Sequence, residues 1–448
     1  MRGHLAQGRA RPAGCAKLRR FAAAGLSLGL CSVFLVACGN AKPGVTKSGN
    51  TNGVSAKRIV VGGIASLSGP LPADFAPVFD GVRSYLSMVN ARGGVNGRKI
   101  DFAHGLDDGS NPSQDTVQAR TLVQVDHVFA VVGVATPSFS GASFLAANGV
   151  PTFGYNVNHQ WADGPSLFGA GGSVLDFEHP GPEPAYLAQR LGVRRVGIVS
   201  YSVTQSQQAC TGVANVMHAH GIDVAFEDLS NVAPAVDLTS DVNRMHRAGV
   251  QLVASCLDLA GNLVLSRTMH AAGMGSVAQY WLNGYDESAI DSNAPLMNGA
   301  YFLINHVPFE SGRSQPKRYS EMALYLKELH RYYPNDPPGE ASLAGWISAV
   351  TFVDGLRAIG RDATRERLVS ALNSLTSYTA HGLIAPVDWR TAHEQVGTTD
   401  CNVFLQARGG HFVPIFGSKK TVFTCFAYPQ PKREKVVLAA PPRNIPGA

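Results

Sequence analysis

Two hydroxyl-bearing residues, Thr136 and Ser138, stand where the sequence could bind an anion. They flank Pro137 just after an apolar run that ends at Val134, and the segment from there to Asn148 reads as a helix. Threonine is a favoured helix N-cap and proline a favoured first helical residue, so the pattern predicts free amides at the positive end of a helix. Thr136 and Ser138 are therefore predicted to bind an anion, with a purely structural helix cap as the alternative.

The sequence holds no arrangement typical of an enzyme active site. GxSxG, HExxH and P-loop motifs are absent, and the GAGG run at 169–172 is too short for a dinucleotide fingerprint. Asp107 and Asp108 end a predicted strand without the third acidic partner that a metal site would need, so loop capping is the better interpretation. We expect no catalytic activity, no cofactor and no metal.

An even set of four cysteines, Cys210, Cys256, Cys401 and Cys425, is suited to two disulfides outside the reducing cytosol. Sequence alone allows three connectivities, but Cys401 and Cys425 flank two strand-like runs. That placement favours a local pair and leaves Cys210 to bond Cys256. A zinc site is the alternative, and neither a CxxC spacing nor a histidine at ligand intervals supports it.

The elements that must position these residues alternate between strands and helices. Strands are predicted at 58–65, 99–104, 128–134, 151–154, 195–200, 224–228, 252–257 and 279–283, with extended runs at 301–308 and between 401 and 426. Helices are predicted at 78–89, 115–125, 183–190, 207–220, 238–248, 262–272, 319–332, 343–359 and 365–375. Repeated strand–helix units predict parallel sheets covered on both faces. The rhythm restarts after Pro180, which predicts two successive α/β lobes.

The first 38 residues have the layout of an export leader. Basic residues precede an apolar run from Phe21 to Val36, which is too short to favour a stable membrane span. The run ends in Leu-Val-Ala-Cys38, which resembles the lipobox of bacterial lipoproteins and implies a diacylglycerol on the Cys38 sulfur and cleavage before it. Residues 1–37 would then be the lipoprotein signal peptide. The alternative is an ordinary signal peptide with a chance cysteine. Arg19 and Arg20 also leave twin-arginine export open beside the general secretory route.

The net positive charge of the chain comes from the basic residues of this leader. The chain has 38 Lys+Arg and 32 Asp+Glu, and six basic residues but no acidic ones precede Cys38. The remainder is balanced, which removes the broad basic surface expected of a nucleic-acid binder. Residues 38–57 are rich in Gly, Asn, Ser and Lys and predict a flexible tether, and the end of the chain, 431–448, predicts a frayed tail.

Four phrases together resemble the type I periplasmic binding proteins, specifically the branched-chain amino acid (Leu/Ile/Val) branch, which are substrate receptors of ABC importers. The phrases are IASLSGP at 64–70, NARGGVNGRKI at 90–100, DDGSNP at 107–112 and Val132-Gly133. The resemblance is dense over 58–155 and looser to about 427.

This resemblance implies two Rossmann-like, doubly wound lobes joined by a three-crossing hinge, with the ligand in the cleft between them. Lobe one would comprise 58–175 and 305–395, and lobe two 180–303 and 397–430. The crossings would fall near 172–180, 304–309 and 393–399.

The resemblance also implies ligand contacts from both lobes, at Tyr155, Asn156, Gln205, Asp258, Tyr285 and Asp286. Asp258 or Asp286 would neutralise a ligand amine, although Asp258 could instead cap the following helix. Tyr155 could instead be an ordinary buried tyrosine. Asp74 and Phe75 stand where the family often has a tyrosine, so the ligand need not be a branched-chain amino acid.

The sequence therefore predicts an exported, lipid-anchored receptor that closes around a small polar solute and delivers it to an ABC permease. The solute would be an amino acid or a related amide or carboxylate. We expect a monomer, held to the outer face of the cell membrane or in the periplasm, without a nucleic-acid partner. The alternative is a ligand-sensing receptor of the same fold that does not serve transport.

Overall fold

The computed structural model describes residues 49–70, 72–172, 180–394 and 399–447. The predicted leader, the lipidation site predicted at Cys38 and the predicted tether as far as residue 48 lie outside the described residues. Among the residues that are described, no helix combines the length and the apolar character needed to cross a bilayer.

The first lobe is built on a sheet of five parallel strands. They are β1 (Arg58–Ala65), β2 (Lys99–Asp107), β3 (Ala130–Ala135), β4 (Thr152–Gly154) and β5 (Leu167–Gly169). Their spatial order is β2-β1-β3-β4-β5. The central strand β3 reads AVVGVA and is buried along its whole length, as expected for a strand that is covered on both faces.

The second lobe is built on a larger, mixed sheet. Its strands are β6 (Arg195–Tyr201), β7 (Asp223–Asn231), β8 (Leu252–Cys256), β9 (Ala278–Trp281), β10 (Tyr301–Ile304), β11 (Thr399–Arg408), β12 (His411–Ile415) and β13 (Thr424–Ala427). The order is β12-β11-β10-β9-β8-β6-β7, with β13 paired to β11. Strands β6 to β10 run parallel, whereas β11 returns antiparallel to β10.

Helices cover both faces of each sheet. They are α1 (Pro72–Phe75), α2 (Val78–Ala91), α3 (Pro112–Arg120), α4 (Ala142–Ala147), α5 (Glu183–Leu191), α6 (Thr204–Ala219), α7 (Thr239–Arg247), α8 (Leu259–Ala271), α9 (Glu287–Met297), α10 (Phe309–Ser314), α11 (Ser320–Tyr332), α12 (Glu340–Ile359), α13 (Arg365–Asn373) and α14 (Trp389–Ala392). A π-helical turn, Thr121–Val125, continues α3, and short 3-10 turns span His159–Ala162 and Ala380–Gly382.

Lobe one is completed by a helix from late in the chain. Helix α12 packs on α2 and on strands β3 and β4. The two helices touch backbone to backbone, because a Cβ at Gly81 would stand 1.7 Å from the Ser342 carbonyl oxygen and one at Gly345 would stand 1.9 Å from that of Val78. Only glycine permits this approach. The chain therefore leaves lobe two after β10 and supplies part of the lobe-one core before it returns as β11.

Both predicted disulfides are present. Cys210 bonds Cys256, joining α6 to β8, and Cys401 bonds Cys425, joining the directly opposed positions of β11 and β13. The first bond links neighbouring βα units of lobe two. The second fixes the last strand of the chain to the sheet.

Both ends of the described chain differ from the sequence predictions. Residues 49–57 belong to the predicted tether, yet the Asn50 backbone N–H donates to the Glu366 carboxylate and Val54 pairs with Ile59. The predicted frayed tail is packed: Ile445 is buried, and the Arg318 guanidinium donates to the Gly447 carbonyl. Polar composition alone did not reveal the contacts of Asn50 and Gly447, because their partners are more than a hundred residues away.

One of the predicted crossings lies among the described residues. The connection between β10 and α10 runs along lobe one, where His306 pairs with Ile384. Most of the crossings at 172–180 and 393–399 lies outside the described residues. Those two crossings, and the residue bounds of the lobes, stay predictions.

Candidate functional site

The loop after β3 does not contain the predicted helix start at Thr136. Helix α4 begins at Ala142 and not beside Thr136, whose hydroxyl accepts a hydrogen bond from the Ser138 backbone N–H at 3.3 Å. The Gly141 N–H at the helix start donates to the buried Asp115 carboxylate at 2.6 Å. The predicted helix cap and anion nest are therefore wrong, because a carboxylate of the protein itself occupies the helix start. Ligand contact by the two hydroxyl groups stays a prediction.

The same loop meets lobe two across the cleft. The Gln205 side chain, in the first turn of α6, donates from Nε2 to the Pro137 carbonyl oxygen at 3.3 Å. The structure thus brings the predicted residue Gln205 into contact with the loop that holds Thr136 and Ser138. Since Gln205 is otherwise exposed, this hydrogen bond is a weak contact that opening of the cleft would break.

Tyr155 and Asn156 follow β4 and line a cavity of about 20 Å³ between that strand and the β10–α10 connection. Asn156 is 1% exposed, and its Oδ1 accepts a hydrogen bond from the Gly171 N–H at 3.2 Å. Its Nδ2 has no hydrogen-bond partner within the described protein. The cavity has room for one water-sized group, and Asn156 offers that group a free donor.

Two further cavity residues, His306 and Glu340, were missed by the sequence analysis. His306 is buried, its Nδ1 lies 2.9 Å from the Val307 carbonyl oxygen, and its Nε2 lies 3.6 Å from Glu340 Oε1. A signal for His306 was present, because it lies within the predicted crossing at 304–309. Glu340 gave none, since its position at the start of α12 looks like an ordinary first-turn acid.

The two candidate acids of lobe two cap helices. Asp258 Oδ1 accepts hydrogen bonds from the Gly261 N–H at 2.8 Å and from the Tyr201 hydroxyl at 2.7 Å, so the capping interpretation of Asp258 is confirmed. Asp286 Oδ1 accepts from the Ser288 N–H at 2.7 Å at the start of α9. Capping fixes both carboxylates at the carboxyl ends of β8 and β9, the end at which open α/β sheets bind ligands.

Four carboxylates converge on the cleft, and we call them the cleft cluster: Asp74, Asp258, Asp286 and Glu340. Partial burial raises the pKa of Asp74, and the negative charges of the other three raise it further. Burial also raises the pKa of Tyr155 well above its ordinary value, with Glu340 and Asp74 adding to the shift. Every charge that acts on these two groups is negative, so the cleft has a negative potential.

Comparison with known proteins agrees with this architecture. A family model described as periplasmic binding protein matches residues 58–411. The chain belongs to this family. The resemblance and the fold class predicted from the sequence are therefore confirmed.

Individual relatives of this periplasmic binding protein are distant. The "Leu/Ile/Val-binding protein homolog 3" of Brucella melitensis is 25% identical over 248 residues, which is 50% of this chain and 64% of the relative's length. The chain thus matches just under two thirds of that relative.

Among solved structures, a fatty acid ABC transporter substrate-binding protein from Thermomonospora curvata has a TM-score of 0.66 at 18% identity, over 89% of this chain and 97% of the other. A solute-binding protein from R. palustris, in complex with benzoate, has a TM-score of 0.65 at 17% identity, over 87% and 99%. A leucine-binding protein from Thermotoga maritima has a TM-score of 0.61 at 15% identity, over 80% and 97%. At these identities the likeness shows the fold alone.

Two predicted site residues of this periplasmic binding protein belong to its packed interior. The Tyr285 hydroxyl donates to Glu310 at 2.9 Å and accepts from the Phe309 N–H at 2.8 Å, while its ring stacks on Phe309. Phe75 is buried against Phe79 and Ala135. The structure gives both residues a supporting role behind the cleft wall, and ligand contact by either stays a prediction.

A larger cavity of about 460 Å³ lies away from the cleft, at the edge of lobe one. Its described lining includes Trp389, His393 and Asn373 and none of the predicted site residues. Burial lowers the pKa of His393 to about 4. The described lining of this larger cavity includes none of the carboxylates of the cleft cluster.

Proposed function

We propose that this protein is the extracytoplasmic substrate-binding component of an ABC transporter and captures a small polar solute between its lobes. The observation that carries the proposal is the convergence of groups from both sheets on one cleft. Asp74, Tyr155 and Asn156 come from lobe one, and Asp258 and Asp286 from lobe two. Membership of the periplasmic binding protein family supports the same assignment.

Capture requires the lobes to move. The cavity beside Asn156 has a volume of about 20 Å³ and admits nothing larger than a water molecule, so a solute that contacts Asn156 needs the structure to open there. Separation of the lobes would also break the Gln205–Pro137 hydrogen bond. A solute that contacts both walls gains those contacts only in the closed form. Its differential affinity for that form then shifts the population toward closure, which a permease can recognise.

The proposed anchor is a lipid on Cys38, which lies outside the described residues. It would hold the receptor at the membrane beside its permease. Intact mass measurement of the protein purified from membranes tests it: a chain that begins at Cys38 and carries a diacylglycerol is expected. An unlipidated chain cleaved elsewhere would instead match an ordinary signal peptide.

The names of the relatives leave the ligand open, since they refer to branched-chain amino acids, a fatty acid and benzoate. Isothermal calorimetry of the detergent-purified full-length protein, stripped of bound solutes, tests capture against a panel of amino acids, amides and carboxylates. We expect saturable binding of one molecule per chain. A folded, stripped sample that binds nothing would contradict the proposal, and co-purification of permease and ATPase subunits would distinguish transport from ligand sensing.

A further inference from the structure

Among the described residues, no arginine or lysine forms an ion pair with the cleft cluster, and His306 is the one ionisable base beside it. The four carboxylates come from four separate elements, at or near α1, α8, α9 and α12. The charges that act on Asp74 are those of Asp258, Glu340 and Asp286, without an arginine or a lysine among them. Asp74 and Asp258 are exposed and Asp286 and Glu340 are half-buried, so solvent screens part of the repulsion among the four charges. A cation bound between them would lower the remaining electrostatic energy.

Two hydrogen-bond acceptors in the cavity, His306 Nε2 and Glu340 Oε1, lie close to each other. A carbonyl oxygen only accepts, so His306 Nδ1 must donate to the Val307 carbonyl, and the neutral ring then turns the Nε2 lone pair toward Glu340. The gap of 3.6 Å between Nε2 and Oε1 is too long for a hydrogen bond. A protonated amine on the ligand can donate to both atoms at once.

Asn156, which also lines the cavity, favours a neutral hydrogen-bond acceptor on the ligand. The Gly171 N–H fixes the orientation of the Asn156 amide by donating to Oδ1, so Nδ2 is the group left without a partner. A buried donor without a partner is costly, and an amide carbonyl or hydroxyl oxygen would satisfy it. A ligand carboxylate would also accept this bond, but it would enter a cleft that is already negative.

The N–H group at the start of α4, which could otherwise bind a ligand carboxylate, already donates to a side chain of the protein. The Gly141 N–H at the start of α4 donates to Asp115, and the Thr136 hydroxyl accepts from Ser138 within its own loop. The lobe-one loop beside Gln205 thus has no free helix terminus to balance a negative ligand group.

We infer that the cleft selects solutes that carry a protonated amine next to a neutral oxygen acceptor, such as an amino amide, and rejects carboxylates. This inference rests on the proposed function, because it assigns a ligand class to the same cleft. Asp74, Asp258, Asp286 and Glu340 provide the charge, His306 and Glu340 receive the amine, and Asn156 donates to the acceptor.

The test uses probes that differ in charge but share a carbon skeleton. For each of alanine, leucine and phenylalanine, the amino amide, the amino acid, the amide without its amine and the carboxylate without its amine are titrated calorimetrically into the stripped full-length protein. At about pH 6.5 the amino amide is mainly protonated. We expect the amino amide of the best-fitting skeleton to bind about tenfold or more tighter than its amino acid and its neutral amide, since charge-assisted hydrogen bonds dominate the difference.

Matched variants test the residues. Asp258→Asn keeps the helix cap while removing the charge, because asparagine caps as well as aspartate, and Glu340→Gln removes the second charge. Each should weaken amino amide binding about tenfold and leave binding of the neutral amide unchanged. Asp223→Asn is the control: it makes the same change at the amino end of β7, where the side chain is 61% exposed, and should change nothing.

The outcomes separate the inference from the proposed function. Tighter binding of an amino acid or a carboxylate than of the amino amide overturns the inference and leaves solute capture standing. Equal loss of binding for neutral and cationic probes in Asp258→Asn and Glu340→Gln, with unchanged thermal melting, overturns the assignment of charge recognition to these residues. Failure of every probe to bind a folded, stripped protein overturns both.

Discussion

Two groups of carboxylates in this protein differ in whether a positively charged side chain of the protein lies beside them. The inner cluster, behind the cleft, is formed by Glu321, Asp354 and His381. Its histidine lies between the acids, with Nε2 2.8 Å from Asp354 Oδ2 and Nδ1 3.5 Å from Glu321 Oε2. These hydrogen bonds, first to Asp354 and then to Glu321, raise the pKa of His381 to about 10, so the ring is a resident cation at neutral pH. The cleft cluster has no such residue.

The difference indicates what each cluster is for. The carboxylates of the inner cluster also accept hydrogen bonds from the Trp346 indole and the Tyr378 hydroxyl, which tie α12 to its neighbours. A permanent cation suits that structural role. The cleft cluster is compensated only when something enters the cleft, and that is the property expected of a binding site.

Asp115 shows that a carboxylate without a cation is not by itself a ligand site. It is fully buried, and burial raises its pKa to about 7, although the hydrogen bond from Gly141 opposes the shift. Asp115 can therefore bind a proton and become neutral, so it needs no cation beside it. What distinguishes the cleft cluster is the convergence of several acids with the free donor of Asn156.

Removing the resident cation should have the largest effect on stability. His381→Asn takes away the positive charge, and asparagine tolerates the left-handed backbone at this position, where φ is 59°. The free energy of unfolding in urea at about pH 6 should fall by about 1–2 kcal/mol, which is the scale of hydrogen bonds to charged groups, discounted because the ring is 39% exposed. An unchanged stability would contradict the distinction between the two clusters.

The difference in unfolding free energy between wild type and His381→Asn should depend on pH. The folded-state pKa of His381, about 10, lies above its ordinary value of 6.5. Its contribution is therefore complete below about pH 6.5 and is lost as the pH rises through about 10. The gap in unfolding free energy between wild type and His381→Asn should shrink over that range, and a constant gap would show that charge is not the cause.

Asp115→Asn should raise the free energy of unfolding, whereas His381→Asn should lower it. The raised pKa means that Asp115 stabilises the fold below its ordinary value of 3.8 and that this advantage is lost as the pH rises toward 7. At about pH 8 the amide should raise the free energy of unfolding by about 1 kcal/mol, because it avoids a buried charge and its oxygen can still accept from Gly141. Near pH 4 the two proteins should be equally stable, and a variant less stable at both pH values would contradict this.

The smallest effect is expected for Asp74→Asn in the ligand-free protein. Because Asp74 is exposed and solvent screens its charge, relief of the repulsion from Asp258, Glu340 and Asp286 should stabilise the fold by no more than about 0.2–0.5 kcal/mol at pH 7. Because the pKa of Asp74 is raised, the gain should disappear below its ordinary value of 3.8, where both side chains are neutral. Thermal melting beside the Asp223→Asn control measures it, and a loss of stability would mean that the cleft cluster is not repulsive.

Much of the fold was predictable because its signals are local. Strand β1 has the bounds that were predicted, and β6, α5 and α13 differ from prediction by at most two residues. Helix α9 was missed, since Pro295 within it and the kink at Asn293 interrupt the usual periodicity. The predicted helix after Thr136 was wrong because its start depends on Asp115, which no local pattern places there.

The candidate site was only partly predictable. Asn156 and Asp258 could be named from the strand ends that they follow, but the pairing of His306 with Glu340 joins positions 34 residues apart on different elements. Whether an acid carries a partner cation depends equally on distant residues, as the inner cluster shows.

The sequence by itself determined the family and the alternation that builds two α/β lobes, and it favoured the cysteine pairing that the structure shows, because each depends on neighbouring residues or on spacing along the chain. Only the tertiary structure decided which carboxylates meet, which of them receive a cation from the chain, and which donor is left free. Those properties depend on distances between segments that folding brings together, and electrostatic energies change steeply with such distances.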